Sequence, residues 1–174
     1  MLRFLLLIVA FILVIVGVTF AYGNSLPREH VVTSRIELNQ PIDQVWTVVR
    51  NPAALRGTWS DLTSAERVTD ASGRETWVQV VDGFEMRLQI TEAQPPRRMV
   101  TTVMADAEAA FGGTWTYVLA ATPGGTQVTI TEAGYINSPL YRAMGQMFGL
   151  HGSIDGYLKA LGTHFTEAVR PERL

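Results

Sequence analysis

The chain has 174 residues, 47% of them apolar, a formal net charge of −2 and no cysteine. That composition fits one globular domain with a single core plus an apolar N-terminal segment, and the lack of thiols excludes disulfides, thiolate catalysis and thiolate-bound zinc. The basic residues are arginines apart from Lys159 and form no run able to track a phosphate backbone, so nucleic acid is not an expected partner.

No charge occurs from Phe4 to Tyr22, a length close to the roughly 20 residues that cross a bilayer core as a helix. Residues 1–23 are therefore expected to be an N-terminal transmembrane anchor, 24–29 a short linker and 30–170 the folded domain. Arg3 lies before the segment and Arg28 and Arg35 after it, a weak charge asymmetry. The expected topology is a single-pass signal-anchor with the domain outside the cytoplasm. A cleaved secretory signal is the alternative, since Ala21, Gly23 and Ser25 are small enough for a cleavage site.

Val32, Ser34, Ile36 and Leu38 alternate along a first strand, His30 to Leu38. Pro41 then opens a short helix with Ile42, Val45, Trp46 and Val49 on one face, and Asn51-Pro52 opens a second turn that runs out at Gly57. Strands follow at Leu62 to Thr69, Glu75 to Val81, Phe84 to Ala93, Arg98 to Met104, Gly113 to Ala121 and Thr126 to Tyr135. Their turns carry suitable chemistry: Asp70-Ala71-Ser72-Gly73, Asp82-Gly83, Pro95-Pro96, a loop with Asp106 and Glu108, and Pro123-Gly124-Gly125.

Ser138 and Pro139 then start what reads as one long helix to Val169, stopped by Pro171. At about 100° per residue, Leu140, Met147, Leu150, Ile154, Tyr157, Leu158, Leu161, Phe165 and Ala168 form an apolar stripe facing a sheet. Gly145, Gly149, Gly152 and Gly156 line the opposite side, and each costs a helix interior about 0.8–1 kcal/mol relative to alanine. A kink or short break near Phe148 to Gly152 is the favoured account of them, close approach by another helix the other.

Alternation puts Phe84, Met86, Leu88 and Ile90 on one face with Trp115, Tyr117, Leu119, Val128 and Ile130, and leaves Thr114, Thr116, Thr129 and Thr131 on the other. The expectation is an α+β layer pair in which seven antiparallel strands curve around the last helix.

The order of elements, with Gln40-Pro41-Ile42-Asp43-Gln44-Val45-Trp46, Trp59-Ser60, Pro95-Pro96-Arg97-Arg98, Phe111-Gly112-Gly113-Thr114-Trp115, Gly125-Thr126-Gln127-Val128-Thr129-Ile130, Asn137-Ser138-Pro139-Leu140 and Tyr157-Leu158, resembles the START-like or SRPBCC superfamily and its polyketide cyclase/dehydratase and lipid-transport group. The resemblance spans Arg28 to Val169. It implies a helix-grip fold with a cavity between sheet and last helix for a lipid, sterol, polyketide or other apolar molecule. These motifs specify a fold and carry no catalytic signature.

The residues expected around such a cavity are Trp59, Met86, Leu88, Trp115, Tyr117, Glu132, Met147, His151 and Ile154, with Trp59 placed at the mouth by the resemblance. Glu132 continues the inward parity of Val128 and Ile130, so it either contacts ligand or meets solvent or an arginine at a fraying strand end. His151 borders the helix's apolar face, where a hydrogen-bonded core-edge role outweighs that of a base. Met86 and Met147 suit an adaptable lining and are equally ordinary core filler. His30, His151 and His164 lack ligand spacing, so no metal and no cofactor is expected.

The leading functional expectation is membrane-tethered binding of a hydrophobic small molecule. The alternatives are a polyketide cyclase/dehydratase-like enzyme using Glu132 or His151 for proton transfer, and a partner-binding module docking through the glycine stripe.

Overall fold

The computed structural model describes residues 1–69, 73–106 and 109–174, so Asp70, Ala71, Ser72 and Glu108 of the expected turns lie outside it. The apolar N-terminal segment is helix α1 (Leu2–Ser25). It takes in Asn24 and Ser25 of the expected linker, leaving Leu26 to Arg28 as the connection to β1 (Glu29–Leu38). Helix α2 (Ile42–Val49) buries Val45, Trp46, Val48 and Val49, and a 3-10 turn over Pro52–Leu55 follows.

The expected strands form with boundaries shifted by at most two residues: β2 (Leu62–Thr69), β3 (Glu75–Val81), β4 (Phe84–Gln94), β5 (Arg98–Val103), β6 (Phe111–Thr122) and β7 (Gly125–Ile136). Asp82 and Gly83 both have positive φ, as a tight two-residue hairpin turn requires. The chain ends on an eighth strand, β8 (Glu172–Arg173), which gives one antiparallel sheet in the order β2-β3-β4-β5-β6-β7-β1-β8.

Two residues after a proline are too short to show periodicity, which is why β8 escapes the sequence pattern. Pairing with Ser34 and Arg35 holds it, together with a two-pronged contact from Arg35 Nε and Nη2 to the Glu172 carboxylate at 2.8 and 3.0 Å. The hydrogen bond and charge of Arg35 keep the Glu172 carboxyl below its usual range.

The long C-terminal helix is instead two, α3 (Pro139–Phe148) and α4 (Gly152–His164). Gly149 separates them at φ +92°, a conformation that ends a right-handed helix and that residues with a Cβ seldom adopt. The break falls where the glycines imply it. Ser138 occupies the N-cap of α3 but its hydroxyl makes no capping hydrogen bond, and Thr166 at φ +58° ends the helical path before Val169.

Of these two helices, α4 is the one that carries its apolar side chains into the core. Ile154, Leu158 and Leu161 are fully buried and Tyr157 nearly so, in one core with Ile36, Val128 and Ile130. A polar staple joins the same layers: Ser34 Oγ donates to Asp155 Oδ1 at 2.7 Å, and Arg173 reaches Asp155 Oδ2 from β8 at 2.8–2.9 Å. The buried Asp155 carboxylate is thus paired and hydrogen-bonded, as burial of a charge demands.

Helix α3 turns the opposite way to expectation. Leu140 and Met147, placed by the continuous wheel against the sheet, are exposed, and the buried residues of α3 are Arg142 and Ala143. The positive φ at Gly149 resets the helical phase, so a stripe drawn through it does not hold.

Candidate functional site

The inner face of the sheet and the start of α4 enclose a cavity of about 390 Å³. Its wall is mainly apolar, with Trp59, Phe84, Met86, Leu88, Trp115 and Ile136 contributing. Alternation on β4, β6 and β7 aims all of these but Trp59 inward, as the period of a half-buried strand requires, and Trp59 comes from the loop before β2.

A cluster of aromatic rings backs the cavity beneath α4. Tyr157 makes edge contacts with Trp59, Trp115 and Tyr117 at centroid separations of 5.5, 5.9 and 5.6 Å. Trp59 is buried in this cluster rather than standing at an open mouth.

Burial pushes the phenols of Tyr117 and Tyr157 well above their ordinary range, with the Glu132 charge adding to the shift of Tyr117 and the neighbouring Tyr117 to that of Tyr157. Two of the chain's five tyrosines should therefore resist ionisation in an alkaline ultraviolet titration until the fold opens. The sign follows from linkage: with folded pKa above unfolded, their contribution is intact below about pH 10 and stability falls as pH rises beyond it. Five phenols titrating together near pH 10 without unfolding would contradict this packing.

The wall has one charged locus. His30 Nε2 lies 3.1 Å from Glu132 Oε1, and Ser153 Oγ donates to Glu132 Oε2 at 3.0 Å. The strand register explains the meeting: Val32 pairs with Glu132 and His30 with Gly134, so the imidazole reaches its carboxylate diagonally across β1 and β7. Gly134 leaves room for it, since a Cβ there would stand 2.8 Å from the ring. Which of the two groups donates in this contact follows the tautomer of His30. The row joins β1, β7 and α4 at the cavity wall, a carboxylate–imidazole pair able to bind a hydroxyl or move a proton.

Of the residues expected at the cavity, Trp59, Met86, Leu88, Trp115, Tyr117 and Glu132 line it. Met147, His151 and Ile154 do not. Met147 is 71% exposed on α3, and Ile154 lies wholly in the core. His151 caps α4, its Nε2 buried with no hydrogen-bond partner among the described residues. Sequence reasoning missed His30 and Ser153. His30 continues the inward parity of Val32, Ser34 and Ile36, a signal that was available; Ser153 reaches the site only because α4 begins afresh after the break.

Among the described residues no group of three or more His, Asp or Glu side chains could hold a metal ion. Among the described residues the glycine stripe meets no second helix of this chain: Gly145 faces Leu150 and Ile136, Gly149 is the break, Gly156 abuts Trp59 and nothing lies near Gly152.

Residues 29–166 match the family model described as polyketide cyclase / dehydrase and lipid transport. No curated protein matches. Among solved structures, the chain is similar to the di-domain ARO/CYC BexL from the BE-7585A biosynthetic pathway, with 14% identity, TM-score 0.64, and 85% of this chain and 52% of that one covered. The di-domain ARO/CYC StfQ from the steffimycin pathway gives 10% identity and TM-score 0.62, over 79% and 51%. A conserved protein from Geobacillus kaustophilus gives 15% identity and TM-score 0.63, over 82% and 99%. The chain thus spans about half the length of the two di-domain proteins, and at these identities the likeness is one of fold.

Proposed function

Because the chain belongs to the polyketide cyclase/dehydrase and lipid transport family, we propose that it is a membrane-tethered binding protein for an apolar small molecule held between the sheet and α4. The observation that carries this reading is the cavity: about 390 Å³, walled by aromatic and aliphatic side chains, with charge confined to the His30–Glu132 pair. A ligand burying about 200 Å² of apolar surface there would gain about 5 kcal/mol before the costs of binding. The ligand chemistry that fits is a lipid, isoprenoid or polyketide-like skeleton carrying one hydroxyl, which can donate to the Glu132 carboxyl. Helix α1 supplies the tether in this reading, with 23 residues from Arg3 to Ser25 apolar enough to span a bilayer, and the proposal places the domain on the extracytoplasmic side.

Glu132→Gln tests the polar locus. It should weaken a fluorescent long-chain alcohol roughly tenfold or more relative to the corresponding alkane probe, because a hydrogen bond to a charged group contributes about 1.5–3 kcal/mol. Equal effects on both probes would remove Glu132 from recognition.

The second reading, a cyclase- or dehydratase-like enzyme, is favoured by the same pair, which joins an imidazole to a carboxyl group in the cavity wall. It assigns proton transfer to His30 and Glu132 rather than His151. Turnover of a reactive polyketone probe, lost in both His30→Ala and Glu132→Gln while the alkane probe still binds, would support it over simple binding.

A further inference from the structure

Helix α3 carries its apolar residues on the outside. At about 100° per residue, Leu140, Tyr141, Met144, Met147 and Phe148 share an arc of about 120°, and all five are exposed, Phe148 to 77%. The helix contains no acidic residue, and its single charge, Arg142, points inward and is buried.

The buried side of α3 meets the end of the apolar helix. Arg142 Nε donates to the Gly23 carbonyl of α1 at 2.8 Å and Nη1 to that of Ile136 at 3.3 Å, so one guanidinium ties the last turn of α1 to the end of β7. The Gly23 carbonyl also accepts the Leu26 amide at 3.3 Å, and carbonyls at a helix C-terminus attract cations. Gly23 packs so closely on the Pro139 backbone that a side chain there would overlap it. Gly23 is buried and Thr19, one turn earlier, half-buried, whereas residues 3–18, 20–22, 24 and 25 are exposed. Helix α3 is therefore fixed beside the last turns of the span rather than hanging from a free linker.

Resting on the membrane tether proposed above, we propose that α3 is a bilayer-surface helix, its exposed Leu140–Met144–Met147–Phe148 face set in the lipid interface beside α1, holding the cavity rim against the membrane. Tyr141 belongs both to this face and to the cavity lining, and the Gly149–Leu150 break next to it lines the cavity as well. An apolar molecule leaving the bilayer along α3 would thus enter at Tyr141 without crossing bulk water. Lipid is the occupant the geometry selects, because the face is held to the one helix among the described residues that is long and apolar enough to stand in hydrocarbon.

The chain has no cysteine, so single labels are unambiguous. Full-length Met147→Cys, Phe148→Cys, Val14→Cys and Gly124→Cys proteins, each carrying an environment-sensitive fluorophore, are reconstituted into phosphatidylcholine vesicles with and without nitroxide-labelled lipid. Val14 reports the span, and Gly124 the β6–β7 turn at the far end of that hairpin. The expected result is quenching at positions 14, 147 and 148 and none at 124, with the labels on α3 losing roughly half their emission at the depth of about 5–10 Å typical of interfacial helices. Quenching at 14 without quenching at 147 or 148 overturns the placement of α3 while leaving the tether intact. A label at 147 that is blue-shifted but unquenched means a second protein copy covers the face, and also overturns it. An unquenched label at 14 overturns the tether and this inference together.

Discussion

Leu158→Ala is expected to destabilise the domain by about 2–5 kcal/mol, whereas Leu140→Ala should change stability by less than about 0.5 kcal/mol. Both leucines belong to the single apolar stripe that a continuous helix would present. Leu158 is fully buried on α4 in the core it shares with β1 and β7, and its truncation removes apolar contact and leaves a void that the sheet cannot close. Leu140 is half exposed on α3. For a domain of this size a 3 kcal/mol loss lowers the melting temperature by about 6–12 °C. Equal losses in the two variants would mean one unbroken helix against the sheet.

Filling the cavity should have the largest functional effect. Leu88 points from β4 into the space between sheet and helices, so Leu88→Trp adds ring volume where a ligand would lie. Leu88 packs half-buried against the rim of the core, so the melting temperature of the variant is measured alongside and should stay close to that of the wild type. Binding of an apolar fluorescent probe is expected to weaken at least roughly tenfold, equivalent to about 1.4 kcal/mol. Titration of wild-type and variant with the same alkane-chain probe reads this directly, and unchanged affinity would place the binding surface elsewhere.

The strands were legible because alternation and turn chemistry act locally: Asp82-Gly83 fixes a hairpin through its own backbone angles, and Phe84, Met86 and Leu88 then point one way by the pleat alone. That the inward parity of β7 takes in Glu132 was readable for the same reason. Its partner was harder to find, because His30 meets Glu132 only through the pairing of two strands about a hundred residues apart. The helical region shows a different limit. The glycines marked the break, but nothing local fixes the phase in which a helix resumes after a residue at φ +92°, so Leu140 and Met147 were assigned to the wrong side. The docking of α1 on α3 rests on Gly23 and Arg142, neither of which carries a periodic signal.

Recovering the native ligand tests the central claim most directly. Native mass spectrometry of the full-length protein, released from a membrane mimetic and followed by organic extraction, should reveal an apolar molecule bound one to one, reduced or missing in Leu88→Trp. A wild-type protein that carries no such molecule, and takes up an apolar probe no better than Leu88→Trp, would contradict the account.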